Sequence, residues 1–331
     1  MQIFINTYGT YLHVKDEMFE IKTRPSKQEK FKTNHLAAQK VTSFLVSKGV
    51  SITTDALALA LKHNIDIVVV ERDGHPIGRF WHSKLGSTTK IRKRQLEASL
   101  DTLGVRWTKA WVSTKLENQA DYLQDLRKHR KRMADFLTEK QDRILHFREQ
   151  INTVEGTTIG EVAERIRGWE GNAGRHYFEA LSRAIPEEYA FAGRSFRPAR
   201  DPFNAALNYA YGILYSRTER ALMLAGLDPY LGFLHRDDYN LTSLVFDFIE
   251  PYRIHAERCV FGLFSKKQVN KSYFDEIANG YSLNGEGKPF LVEHFIKYID
   301  QDKIRYRGRN QTRSNAMQMD AHAFANALIA E

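Results

Sequence analysis

The spacing of apolar positions changes character once along the chain. Before about residue 85 the apolar residues come in short runs separated by turn-forming residues. "MQIFIN", "TYLHV" and "MFEIK" read as strands divided by "TYGT" and "KDE". "VTSFLV" is another strand after a polar stretch. "SITTDALALALKHN" has hydroxyl residues suited to an N-cap, a helical interior and Asn64 as its stop. "IDIVVV" is a buried strand, and "IGRFW" returns from it across a turn with Asp73-Gly74 at its tip.

Beyond "SKLGSTTK" (residues 83–90) the period becomes helical, with no strong strand signal. Helices are predicted in "TKIRKRQLEASL", in a broken run from Trp107 to Ile151, and in "TIGEVAERIRGWEGNAGRHYFEALSRA". Others are "DPFNAALNYAYGILYSRTERALMLAG", "SLVFDFIEPYRIHAERCVFGLF", "KPFLVEHFIKYI" and a last one after Arg313. No internal repeat occurs. The expected fold class is α+β: a small β-rich N-terminal domain (1–85) followed by a larger all-α C-terminal domain (86–331).

Composition adds a sign and a compartment. The 331 residues are 42% hydrophobic and 27% charged, as in a soluble globular protein, and no apolar run is long enough to span a bilayer. The first residues lack the basic region and apolar block of a secretory signal, so a cytoplasmic location is expected. The lone cysteine, Cys259, rules out an internal disulfide and reads as a small core residue. The formal charge is +9. Its cations cluster at Lys90–Arg94, at Arg127–Arg132, and from Lys303 through Arg305, Arg307 and Arg309 to Arg313. Three such clusters favour a nucleic-acid partner.

Several chemistries lose support. There is no GxxxxGK[ST] phosphate loop, no GxGxxG after a strand, and no HExxH, CxxC or GxSxG. What remains are charges in apolar settings. Glu170 falls on the stripe formed by Ala163, Ile166, Ala173, Tyr177 and Leu181. A carboxylate there needs a partner or a cation, and Arg167 and Arg175 are the nearby partners in sequence. Asp247 and Glu250 sit three residues apart in "SLVFDFIEPYR", in a helix apolar all round and so buried. Either they share a cation, or one pairs with Arg253 or a cap while the other is protonated. Pro251 leaves the Asp247 carbonyl without its helical donor, so a kink is predicted there. His235 follows the apolar "YLGFL" where the chain emerges, a place for a structural histidine or a ligand. Carboxylates with one imidazole suit Mg2+ or Mn2+, and such an ion beside basic patches suits phosphodiester chemistry.

At these residues the sequence resembles a known family, the CRISPR-associated integrase that inserts new spacers into CRISPR arrays. The resemblance is carried by "KGVSITTDALALALKHNIDIVVVERDGHPIGRF", "IRGWEGNAGRHYFEAL", "RPARDPFNAALNYAYGILY", "AGLDPYLGFLHRDDYNLTSLVFDFIEPYR" and "LNGEGKPFLVEHF", in order. It implies that Glu170, His235 and Glu250 are the metal-binding catalytic positions, with Asp247 an acidic neighbour. Relatives often carry aspartate where Glu250 stands. Asn204 and Tyr209 lie in a motif lining the same region, and the spacing of Arg167 suggests a contact with DNA. The implied reaction is metal-dependent transesterification, the 3′-hydroxyl of protospacer DNA attacking a phosphodiester at the CRISPR repeat boundary. The implied assembly is a homodimer, formed on the N-terminal side and joined to the small second CRISPR-associated protein in a heterohexamer. Two alternatives remain: a nuclease for branched or repair DNA, and a non-catalytic DNA-binding scaffold whose buried acids are ion pairs.

Overall fold

In a computed structural model the chain divides into two compact units, Met1–Gly86 and Ser87–Glu331. The residues described are 2–24, 31–71, 76–80, 88–235 and 241–330. The turn predicted at Asp73-Gly74 and the expected division at 85/86 lie outside them.

The first unit holds two four-stranded sheets. One has the order β1 (Gln2–Ile5), β5 (Ser43–Ser47), β7 (Asp66–Val70), β8 (Pro76–Phe80), the first three parallel and β8 antiparallel to β7. The other has the order β4 (Lys32–Ala37), β3 (Met18–Thr23), β2 (Tyr11–Lys15), β6 (Ser51–Ile52), with β2 and β6 parallel. Helix α1 (Thr54–Lys62) packs on β2 and β7, and Leu12, Phe19, Phe44 and Ala56 join one core. Thr53 caps α1 by accepting from the Ala56 amide at 3.2 Å, and Asn64 ends it at φ 55°. Strand β4 carries no apolar alternation because Lys32 to His35 are exposed on an edge.

The second unit is built on helices: α2 (Thr88–Ser99), α3 (Thr102–His129), α4 (Ala134–Thr153), α5 (Ile159–Ala184), α6 (Pro202–Leu224), α7 (Ser243–Phe248), α8 (Arg253–Ser265), α9 (Gly287–Ile296) and α10 (Arg313–Ala330). The long charged run breaks at Arg130, between α3 and α4. The expectation of an all-α unit needs correction. Two short antiparallel hairpins are inserted, β9 (Phe274–Ile277) with β10 (Gly280–Leu283) and β11 (Lys303–Tyr306) with β12 (Arg309–Thr312). Each strand has only four residues, too few for an alternating pattern to stand out. Their turns use Asn279 at φ 66°, and Arg307 and Gly308 at φ 45° and 77°. Cys259 is buried in the helical core, where burial pushes its thiol up to about 12. Among the described residues no helix is long and apolar enough to cross a membrane.

Candidate metal centre

The segment "SLVFDFIEPYR" does not continue as one helix. Helix α7 stops at Phe248, Glu250–Tyr252 form a 3-10 turn, and α8 begins at Arg253. The interruption falls where Pro251 cannot donate. It separates the two acids, which face different partners.

Asp247 is a clamp. Its Oδ2 accepts from the amides of Phe233 and Leu234 at 2.5 and 3.0 Å. Its Oδ1 accepts from the His235 amide at 3.1 Å and lies 2.5 Å from His235 Nδ1. A carboxylate on Nδ1 leaves Nε2 as the nitrogen for a ligand, the arrangement that orients metal-binding histidines. Gly232 makes the approach possible: a Cβ there would lie 2.6 Å from Ser243 Cβ and 2.9 Å from Asp247 Oδ2.

Glu250 is 2% exposed, and two cations hold it. Arg253 Nε lies 2.7 Å from its Oε1 and Lys115 Nζ 2.6 Å from its Oε2. Burial works to raise its pKa, but the charges on Arg253 and Lys115 prevail and hold it down to about 2. The same Lys115 ammonium lies 2.5 Å from Glu170 Oε1. Burial works to discharge that ammonium too, but Glu170 and Glu250 outweigh it and push its pKa up. One cation on α3 therefore bridges the carboxylates of α5 and of the turn. Glu170 is paired by Lys115, not by Arg167 or Arg175 as its sequence neighbours suggested.

Lys115, His235 and Glu250 each follow closely in sequence on a ring of one aromatic cluster. Trp111, Phe233, Phe248 and Phe324 form one aromatic cluster, with Trp111 stacked on Phe233 at 5.8 Å and edge-on to Phe248 and Phe324 at 5.7 and 5.1 Å. Lys115 stands one turn beyond Trp111, and His235 and Glu250 each stand two residues beyond their own ring. Asn118, also on α3, donates to the Pro251 carbonyl at 2.9 Å and fixes the turn. Arg167, one turn before Glu170, donates to the Leu234 carbonyl. The loop bearing His235 is thus tied to both acid-bearing elements, one turn from each acid.

Asn204 is fully buried. It accepts from Arg194 at 2.8 Å and from the Ser195 amide at 3.2 Å, and donates to the Gly193 carbonyl and Asp201 at 2.9 and 2.7 Å. Its amide holds the loop before α6 and does not face outward. Tyr209 is half-buried against the helical core. Sequence reasoning missed Lys115, although it falls on the buried stripe of Trp111, Val112, Leu116 and Gln119.

Two of the three expected metal ligands, Glu170 and Glu250, are brought together on one ammonium, and His235 is not gathered with them. Among the described residues no three His, Cys, Asp or Glu side chains are gathered at metal-holding spacing. The donor types still fit a hard divalent ion: two carboxylates already share a cation, with an oriented imidazole on an adjoining loop.

The profile of the family described as "CRISPR associated protein Cas1" matches residues 3–297. The chain belongs to the Cas1 family. A curated relative, CRISPR-associated endonuclease Cas1 1 of Archaeoglobus fulgidus, is 33% identical over 97% of this chain and 94% of its own length. Among solved structures, a casposase bound to integration product superposes with TM-score 0.82 at 21% identity, covering 99% of this chain and 90% of that one. A chain of a Cas6-RT-Cas1–Cas2 complex superposes with TM-score 0.76 at 20% identity, covering 99% of this chain and 35% of that one. At such identities these two likenesses establish the Cas1 fold alone.

Proposed function

We propose that this Cas1-family chain is a metal-dependent DNA integrase and endonuclease of CRISPR adaptation. In this reading a 3′-hydroxyl of protospacer DNA attacks a phosphodiester of the CRISPR repeat. The observation that carries the reading is the Lys115 ammonium shared by Glu170 and Glu250, a cation held where family resemblance expects one. Glu170, Glu250 and His235 through Nε2 would hold Mg2+ or Mn2+. Such an ion, when bound, stabilises charge on a phosphoryl oxygen and activates a hydroxyl. Arg253 keeps Glu250 ionised by its charge, and Asp247 fixes the His235 tautomer and ring direction. The turn at Pro251 holds Glu250 against α3, so its carboxylate needs little reorganisation. The partners proposed are DNA, a second copy of this chain through the N-terminal unit, and the small protein Cas2 in a heterohexamer. The relative named as an endonuclease and the neighbours caught with an integration product and with Cas2 support this reading.

The same contacts favour a second reading, a DNA-binding scaffold in which Lys115 and Arg253 are permanent structural partners of the acids. The deciding experiment is strand transfer into a supercoiled target with Mn2+, with and without Cas2, alongside Mn2+ binding by calorimetry. Glu170→Ala, His235→Ala and Glu250→Ala are each expected to lose about 100-fold or more of the activity. Retained metal-dependent activity in all three sinks the site assignment. If the wild type binds no Mn2+ and the substitutions only lower stability, the scaffold reading stands.

A further inference from the structure

The three basic clusters of the sequence meet different fates in the fold. In the first, Lys90 and Arg94 donate to the carbonyls of Ile329 and Leu328 at 3.4 and 3.2 Å and cap the end of α10. In the second, Arg127 donates to Thr138 and Arg130 to Ser265, both at 2.8 Å, while Lys128 pairs with Asp125 at 3.0 Å. Arg127 and Arg130 are thus held by the molecule's own groups, while Lys128, Lys131 and Arg132 stay exposed. The third lies on the β11–β12 hairpin, and there Lys303, Arg305 and Arg309 are exposed. Residues 303–313 hold five cations and no acid.

The hairpin is two-sided. Ile304 and Tyr306 are half-buried, while Lys303 and Arg305 face out beside their cross-strand partners Thr312 and Asn310. Two residues along a strand place those cations about 7 Å apart, within reach of successive phosphates along one DNA strand. The inner side is yoked to the metal centre. Asp320 on α10 accepts at Oδ1 from Tyr306 and, at 2.8 Å, from Arg307. Its Oδ2 accepts at 2.7 Å from Tyr252, a residue of the same 3-10 turn as Glu250. Tyr252 is buried, so the link runs through packed structure.

We propose that the β11–β12 hairpin is a DNA-backbone clamp, with Lys303 and Arg305 on the phosphates, and that Asp320 fixes its distance from the Glu250 turn. This rests on reading the chain as acting on DNA. A charged edge also guards an exposed hairpin against strand pairing, but acidic residues guard an edge equally well. Charge reversal therefore separates the two roles.

The test is the affinity of the full chain for a linear duplex of arbitrary sequence across a salt series. In Lys303→Glu/Arg305→Glu the slope of log K against log salt should fall by about 2, with affinity at low salt down about 100-fold. Arg92→Glu/Lys93→Glu, which reverses exposed charges of the first cluster, should change the slope less. Wild-type slope and affinity in the double variant overturn the clamp. A wild type that binds no duplex overturns the DNA reading with it. Asp320→Ala should keep affinity within about 3-fold while strand transfer falls about 10-fold or more, since the phosphates stay bound but lose their fixed distance. Unchanged strand transfer in Asp320→Ala overturns the yoke. Thermal unfolding of each variant checks that it folds.

Discussion

Glu250 and Glu257 stand seven residues apart and are both buried to within 2% exposure. Their environments pull them in opposite directions. At Glu250 burial is outweighed by Arg253 and Lys115, and the carboxylate is held ionised down to about pH 2. At Glu257 burial prevails and pushes the pKa up, although the Tyr211 hydroxyl donates to Oε1 at 2.7 Å. Arg253 lies between them, paired with Glu250 and set over the Tyr211 ring at 5.1 Å. Burial alone therefore says nothing about the charge a buried acid carries. The cations brought to it decide, and only an acid held charged is ready for a metal ion.

The largest expected effect breaks this symmetry directly. Glu250→Gln removes the shared counter-charge of Lys115 and Arg253 and should cost about 3–5 kcal/mol by urea unfolding at neutral pH. Glu257→Gln substitutes an amide for an acid already biased to its neutral form and should cost within about 1 kcal/mol. Equal costs would show that the two sites do not differ in charge. Their pH dependences should also oppose. The depressed pKa of Glu250 gives stability that is present above 4.5 and lost as pH falls through about 2. The raised pKa of Glu257 gives stability that is present below 4.5 and lost as pH rises through its folded value.

The next effect sharpens what Lys115 does beside Glu250. Lys115→Met leaves Glu250 with Arg253 alone and takes from Glu170 the cation it shares. In EDTA this should cost about 3 kcal/mol. Excess Mn2+ should recover most of that loss, and the metal-induced rise in Tm should exceed that of the wild type. A variant that is destabilised and gains no more from Mn2+ than the wild type would make Lys115 a structural cation.

Much of this architecture was legible in the sequence, and its gaps have physical causes. Capped helices declared themselves: Asp201 before Pro202 starts α6, and Thr53 starts α1. Asp247 and Glu250 stood out because acids in "SLVFDFIE" have no innocent surface position. Their separate duties were not legible, since the break at Pro251 turns a spacing of three into two unrelated directions. Lys115 escaped notice because lysine on a half-apolar stripe usually extends its stem and carries its charge to water. Here α5 and the Glu250 turn close over it, a consequence of packing between segments 55 and 135 residues away. Glu257 hid for a related reason, its partner Tyr211 coming from 46 residues upstream. The hairpins were missed because four-residue strands leave only their turn residues as a signal.

A smaller effect separates Asp247 from the charged pair. Asp247→Asn keeps the size but loses an acceptor for the Phe233, Leu234 and His235 amides and the carboxylate on His235 Nδ1. It should cost about 1–3 kcal/mol and lower Mn2+ affinity by about 10- to 100-fold. If affinity holds while stability drops, Asp247 shapes the loop and does not tune the imidazole.

The smallest effect concerns a neighbour of both glutamates. His255 lies half-buried between Tyr252 and Tyr298, its Nδ1 buried without a hydrogen-bond partner among the described residues. Burial, reinforced by Arg313 and Arg258, pushes its pKa from 6.5 down to about 3. Below pH 6.5 the unfolded chain takes up a proton that the folded chain refuses, so stability present above 6.5 is lost progressively towards 3. At pH 5.5 the loss is about 1 kcal/mol relative to neutral pH. This window opens two units above that of Glu250, so unfolding between pH 7.5 and 5 separates the two. His255→Phe should remove that loss, about 2 kcal/mol between pH 7.5 and 5, together with its continuation towards 3, and leave in place the decline that Glu250 adds below 4.5. An unaltered slope would mean that His255 takes up its proton in the folded chain, with the basic surroundings of α8 too well screened to prevent it.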